Sequence, residues 1–153
     1  MKIKEVSAKS ILDSRKEKTI SILIKTNVGN FSASSPNGKS TGKFEKKSYK
    51  KNLEGDIKAL KDFSEYFSEE NLNNFSDLRR VEDIVEGHIG ANSLFALESC
   101  ILKAIAKEKK KQVWQIVNLK LKSVEMPRLV GNVIGGGKHS ITNSKTDKNP
   151  DFQ

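Results

Sequence analysis

The spacing of hydrophobic residues in this 153-residue chain changes once, near residue 45, and that change restricts the fold more than any other feature. Before it, apolar residues recur at or near every second position, the period of a strand with one buried face. Ile3, Val6, Ala8 and Ile11 alternate loosely and predict a first strand from Ile3 to Ile11. Thr19 to Thr26 carries Ile20, Ile22 and Ile24 alternating with residues such as Ser21 and Lys25, a β-branched strand pattern. Asn27-Val28-Gly29-Asn30 supplies turn chemistry, and Phe31 to Ser34 resumes the extended pattern, so strand, turn and strand read as a hairpin. The three segments predict a small antiparallel meander.

After residue 45 the period becomes helical. Leu53, Ile57, Leu60, Phe63 and Phe67 recur at helical spacing with charges between them. A shorter helix is expected from Leu78 to Val85, behind Asp77. The strongest helical signal runs from Ala91 to Lys109. Leu94, Leu97, Ile101 and Ile105, joined by Phe95, Leu102 and Ala106, give it a wide apolar arc and predict the central buried helix. Its end carries Lys107, Lys109, Lys110 and Lys111, where cations favour the helix dipole, so this run reads as a helix terminus. Cys100, inside that helix, reads as a small core residue, and Val113 to Val117 starts another short helix. Beyond Lys122 the character shifts. Met126-Pro127-Arg128 reads as a linker, Leu129 to Ile134 as an extended run closed by Gly135-Gly136-Gly137, and Lys138 to Gln153 as polar and aperiodic. The expected fold class is α+β, a three-stranded antiparallel meander followed by a helical bundle, with residues 1–122 forming one domain and 123–153 an extension of it.

Charge and cysteine usage restrict the setting. The net charge of +9 suits anionic partners such as nucleic acid, an acidic protein or phosphorylated metabolites; it equally serves to solvate helix faces. The chain has no aromatic-rich basic stripe of the kind single-strand binders use, so nucleic acid is not the expected partner. It has no apolar stretch of about 18 residues to span a membrane, and Met-Lys-Ile-Lys-Glu lacks the apolar core of a signal peptide. With a single cysteine, no internal disulfide can form, and a reducing, cytoplasmic setting is expected.

Two glycine-containing segments carry candidate chemistry. Gly38-Lys39-Ser40 imitates the end of a phosphate-binding P-loop, but that motif needs a glycine five positions earlier, where Ala33 stands. The second is Asn132-Val133-Ile134-Gly135-Gly136-Gly137-Lys138-His139. Its glycines permit close backbone approach to a ligand, and His139 could bind an anion or carry a proton, or be an incidental surface residue.

Taken in order, these segments resemble the enolase family. Ile11-Leu12-Asp13-Ser14-Arg15, with Thr19, is similar to the family's opening signature. Ser35-Pro36-Asn37-Gly38-Lys39-Ser40-Thr41-Gly42 with Glu45 is similar to its mobile catalytic loop, and Gly90-Ala91-Asn92-Ser93 to its Gly-Ala-Asn-Ala helix start. Met126-Pro127, Asn132-Val133 and Gly136-Gly137-Lys138-His139 resemble the strand entering the barrel, and Asp151-Phe152-Gln153 the approach to the Gln-Glu-Phe segment. Residues 1–122 would then be the N-terminal capping domain, and 123–153 a linker and the truncated start of the barrel.

The resemblance implies a role in converting 2-phosphoglycerate to phosphoenolpyruvate, a glycolytic lyase reaction that uses two magnesium ions. It implies a mobile loop containing Asn37, Gly38, Ser40, Thr41 and Gly42, with Ser40 as a ligand of the second Mg2+. It further implies substrate contacts from Gly38, Lys39, His139 and Gln153, and a catalytic place for His139 near the phosphate and the reacting carbons. The sequence departs from the family at Lys16-Glu17-Lys18, where a Gly-Asn-Pro is usual, and at Lys39 and Lys138, which replace small residues. The general-acid glutamate, the magnesium carboxylates and the base lysine of the family lie beyond the matched stretch. The chain is therefore expected to be inactive alone and to need a barrel-bearing chain, with a homodimer as a further possibility for partnership. A non-catalytic enolase-like interaction domain is the alternative reading.

Overall fold

The computed structural model describes residues 1–38, 42–68, 70–118, 120 and 126–131, together with the backbone of 134–135 and 151–152. The chain divides into two compact units, Met1–Leu121 and Lys122–Gln153.

In the first unit, β1 (Ile3–Leu12), β2 (Lys18–Thr26) and β3 (Gly29–Ser34) form an antiparallel sheet in sequence order. Ile20, Ile22 and Ile24 of β2 are fully buried, with Ala8 of β1 opposite Ile22 and Phe31 of β3 opposite Ile24 on the same face. The loose alternation of β1 has a physical cause. The ladder shifts register between Ile3 and Glu5, and the extra residue lets both Ile3 and Val6 reach the core face although they are three apart.

Three helices pack on that one face, and two more pack on the central one. α1 (Leu53–Asp62) and α2 (Ser64–Ser68) lie on β1, while α4 (Ala91–Glu108) crosses β2 and β3. α3 (Leu78–Val85), introduced by a 3-10 turn at Phe75–Asp77, and α5 (Val113–Val117) pack against α4. The expected α+β meander with a following helical bundle is the observed architecture, and α4 is its centre. Leu97, Ile101 and Ile105 are fully buried, and the Cys100 thiol is buried and donates to the Ile22 carbonyl at 3.4 Å. Burial pushes that thiol up to about 11, in keeping with an inert core residue.

Two helical details differ from the sequence expectation. The apolar period from Leu53 to Phe67 is two helices and not one, because the chain turns at Phe63, whose amide still bonds to the Ala59 carbonyl. Phe95, counted in the apolar arc of α4, is 55% exposed, since α4 buries its sheet-facing side and Phe95 looks away from it. At the far end α4 closes as a Schellman motif: Lys110 adopts φ 52° and the Lys111 amide bonds to the Ala106 carbonyl at 2.9 Å. The lysine run is thus a helix terminus. No helix among the described residues is long and apolar enough to cross a membrane.

In the second unit, Ile134–Gly135 (β4) pairs antiparallel with Asp151–Phe152 (β5). Residues 126–131 have no regular structure, so among the described residues of the run expected to be extended from Leu129, Ile134 alone lies in a strand.

Glu98 of α4 faces Glu82 of α3 beside Phe95 and Leu102. Desolvation first, and then the neighbouring Glu82 carboxylate, raise its pKa from 4.5 to about 7. A raised carboxyl pKa contributes stability that is fully present below pH 4.5 and is lost as pH rises through 7. Because Glu98 is partly exposed, screening reduces the effect to about 1 kcal/mol. Glu98→Gln should therefore stabilise the protein by about that amount at pH 8 and flatten its stability profile between pH 5 and 8. Denaturant unfolding across that range checks this, and parallel profiles for the two proteins would contradict it.

Candidate functional site

The site is assembled where the start of α4 meets the edge of the sheet, and glycine makes the meeting possible. Gly90 is the N-cap of α4 in extended conformation, and a Cβ there would overlap the backbone of Tyr49 and the Ser48 carbonyl. With no side chain in the way, the 47–48 backbone lies across the helix end. The Lys47 carbonyl accepts from the Ala91 amide at 2.9 Å, and the Ser48 carbonyl from the Asn92 amide at 3.0 Å. Two of the helix's orphan donors are satisfied in this way.

A third donor goes to a buried carboxylate. Asp56, 1% exposed, accepts from the Gly90 amide at 2.8 Å and the Ser93 hydroxyl at 2.6 Å through Oδ2, and from the Lys50 amide at 3.0 Å through Oδ1. Asp56 sits in the first turn of α1, which Asn52 caps by accepting from the Gly55 amide at 2.7 Å. One side chain therefore joins α1, α4 and the segment between β3 and α1.

The same arrangement holds the beginning of the loop that follows β3. Asn37 is the hub. Its side-chain amide donates to the Lys18 carbonyl at 2.9 Å, and its backbone carbonyl accepts from the Arg15 guanidinium at 2.9 Å. Its Oδ1 lies 3.4 Å from both the Tyr49 hydroxyl and the Asn92 side-chain amide. Thr19 completes the anchor, donating to the Ser35 carbonyl at 2.5 Å and lying 3.3 Å from the Tyr49 hydroxyl.

Arg15 is in turn set by the β1–β2 turn. Asp13 Oδ1 accepts from the Arg15 and Glu17 amides at 2.8 and 2.9 Å, and Glu17 pairs with the guanidinium at 3.0 Å. Lys16 takes φ 61° in this turn, a left-handed conformation that glycine adopts without cost. On the other side of the loop, the Gly42 amide donates to Glu45 Oε2 at 2.8 Å, and the Glu45 amide bonds back to the Gly42 carbonyl at 3.2 Å.

Of the residues singled out from sequence, Asn37, Gly38 and Gly42 are described: Asn37 is bonded into the frame, Gly42 closes a local exposed turn with Glu45, and Gly38 is exposed between strand and loop. Lys39, Ser40 and Thr41 lie outside the described residues, as do His139 and Gln153. Among the described residues no three His, Cys, Asp or Glu side chains gather as a metal site. Sequence reasoning missed Asp56 and Tyr49. For Asp56 a signal existed: three residues after Leu53 and four before Leu60, it falls on the apolar face of α1, where a charge needs a partner.

A one-faced meander with helices on its core side and a loop clamped at its edge defines an α+β domain that presents a short segment from a prepared frame. The profile of the family described as "Enolase, N-terminal domain" matches residues 3–117. The chain is similar to the enolase of Elusimicrobium minutum (strain Pei191), 29% identical over 157 aligned positions that cover 91% of this chain and 37% of that protein. It is 30% identical over 147 positions to the enolase of Natronomonas pharaonis, covering 90% of this chain and 36% of that protein. The chain belongs to the enolase N-terminal domain family. It spans 36–37% of the length of these curated relatives.

The close approach at Gly90 leads to a direct expectation. Gly90→Ala should destabilise the domain by about 3 kcal/mol, the upper range for overpacking, because backbone and not a side-chain tip must move. Chemical denaturation measures this, and a loss below about 0.5 kcal/mol would contradict the packing described.

Proposed function

We propose that this chain is the loop-bearing part of an enolase, which interconverts 2-phosphoglycerate and phosphoenolpyruvate. Residues 1–122 act as the capping domain, and 123–153 lead into the barrel. The reaction removes a proton next to a carboxylate and expels hydroxide from the adjacent carbon. Charge accumulates on the carboxylate as the proton leaves, so fixed cations and donors around it lower the barrier.

In this reading Ser40 offers its hydroxyl to a magnesium ion, Gly38 and Lys39 lie at the substrate, His139 stands near the phosphate and the reacting carbons, and Gln153 contacts substrate. A hard divalent cation takes about six oxygen ligands. In this reading the chain contributes the Ser40 hydroxyl to the ion, and the carboxylates come from a barrel; among the described residues no carboxylate cluster gathers. Magnesium would supply electrostatic stabilisation of the enolate-like charge, and the chain's own share is to position the segment that carries Ser40.

The observation that carries this reading is the anchor just before residues 39–41: Asn37 held by Arg15, Lys18, Tyr49 and Asn92. A catalytic lid needs a fixed point from which to close, and Asn37 supplies one.

The test is reconstitution with a barrel, in cis or by co-expression, with host enolase removed. The chain alone should give no turnover of 2-phosphoglycerate, and the reconstituted protein should. Ser40→Ala should then lower kcat about a hundredfold with a smaller change in KM, and His139→Ala should lower kcat and raise KM. Lys110→Ala, at the end of α4, should leave both constants unchanged. An active reconstituted protein indifferent to both Ser40→Ala and His139→Ala would refute these assignments. A barrel-supplied protein with no turnover at all would favour the non-catalytic interaction domain.

A further inference from the structure

Glu98 weakens the domain at neutral pH, and its place in the fold gives it a use. On α4, Phe95, Glu98 and Leu102 follow one another at i, i+3 and i+7, a stripe on the side turned away from the sheet. α3 and the 3-10 turn before it lie beside that stripe, and an open groove of about 550 Å³ runs between them. Its apolar lining comes from both sides, Phe75 and Leu78 from one and Phe95 and Leu102 from the other. Leu78 is buried and Leu102 half-buried, but Phe75 is 46% and Phe95 55% exposed. A single exposed aromatic is ordinary on a protein surface. Two that line one groove make an apolar patch of the kind that partners cover.

Two carboxylates line the same groove, and only one of them has a cation. Glu82 accepts from the Arg79 guanidinium at 2.9 Å, a pair closed within α3. Glu98 forms no ion pair among the described residues. The charged groups that face it are Glu82 and Arg79 from α3; the 3-10 turn brings Phe75 and Ser76, and α4 itself brings Ser99, none of them charged. Lys46 stands in an adjoining recess with Asp83 and Glu86 and does not line this groove. Desolvation and then the Glu82 carboxylate raise the Glu98 pKa to about 7, so the free domain would be firmer at pH 8 with an uncharged side chain there. A residue that weakens the free domain gains its advantage when a cation from outside meets it.

We infer that this groove binds an amphipathic helical segment of a partner protein, with apolar side chains seated against Phe75 and Phe95 and a lysine or arginine paired with Glu98. The inference is separate from the enolase reading and does not rest on it. Charge complementarity selects the occupant. A half-buried carboxylate disfavours the phosphates of nucleic acid and the anionic surface of a bilayer, and it favours a cation that carries its own apolar stem. The gap between two packed helices is a shape that a third helix fills, with its anchors one turn apart. The net charge of +9 disfavours a basic segment over the rest of the surface, so the carboxylate-lined groove stands out as its place to dock. Glu98 must give up its proton before it can pair with the cation. Association therefore strengthens as pH rises through about 7 and levels off above it.

The experiment titrates the 153-residue chain into a fluorescein-labelled amphipathic peptide of about 18 leucines and lysines, long enough to hold a helix, and reads anisotropy at about 150 mM KCl. The dissociation constant should be about 10–100 µM at pH 8 and about tenfold higher at pH 6. The same peptide with glutamine in place of lysine should bind about tenfold more weakly at pH 8 and gain nothing as pH rises. Glu98→Gln, expected to be the more stable protein at pH 8, should weaken binding of the lysine peptide about tenfold there and remove the pH dependence. Phe95→Ser should weaken it about tenfold with the pH dependence kept. Asp62→Asn, which removes an exposed carboxylate from α1, should change affinity less than about twofold. Absence of binding below about 1 mM would overturn the proposal, as would equal affinity for the parent chain and Glu98→Gln. So would a glutamate peptide that binds as tightly as the lysine one. A chain that sediments as a dimer, and as a monomer after Phe95→Ser, would assign the groove to a second copy and overturn it as well.

Discussion

A buried carboxylate holds together the three segments on which the proposed loop-bearing role of this domain relies. Asp56 accepts from Lys50, Gly90 and Ser93, and these residues belong to the segment after β3 and to the start of α4. A carboxylate in that position with one donor missing would carry a desolvation cost of a few kcal/mol, so the three segments are bound to arrive together or not at all. Gly90 permits the approach, and the 47–48 backbone completes it by capping the helix. Asn92 then stands two residues past the Gly90 cap, within reach of Asn37. The loop anchor is a consequence of the helix start, and the helix start is a consequence of Asp56.

Toward the sheet edge, Asn37, Tyr49, Thr19 and Arg15 form a neutral to cationic network that fixes one end of the segment containing Ser40. Toward the opposite side the same 43–51 backbone displays its lysines. The peptide groups face inward, to α1 and α4, and the ammonium groups outward. Removing the inward bonds would loosen both faces at once, whereas changing lysines should leave the loop anchor intact.

The meander was legible in the sequence because Ile20, Ile22 and Ile24 recur at every second position of β2 and Gly29 sits in the turn, and α4 because its apolar residues persist over five turns. The loose alternation of β1 hid a bulge, which periodicity cannot distinguish from weak patterning. Phe95 was misplaced because a period reports which residues share a face, not how wide a stripe the sheet covers. The role of Tyr49 depends on partners 12 and 30 residues away, and no local pattern encodes those. For the site, motif order exposed the loop and the Gly-Ala-Asn-Ser start of α4, while their connection through Asp56 and Asn37 emerged only from the fold. Ser40, His139 and Gln153 rest on family resemblance and lie outside the described residues.

The most direct test of this account is amide hydrogen exchange on Asp56→Asn, residue by residue, against the parent chain. The substitution keeps the shape and places an amide group among donors, so the loss should be local and about 2–3 kcal/mol. The account predicts a marked fall in protection at Lys50, Gly90 and Asn92, extending to the Arg15–Asn37 anchor, with Ile22 and Ile24 in the sheet least affected. Unchanged protection at Lys50 and Gly90, or a uniform loss in which the sheet opens as readily as the helix start, would contradict it.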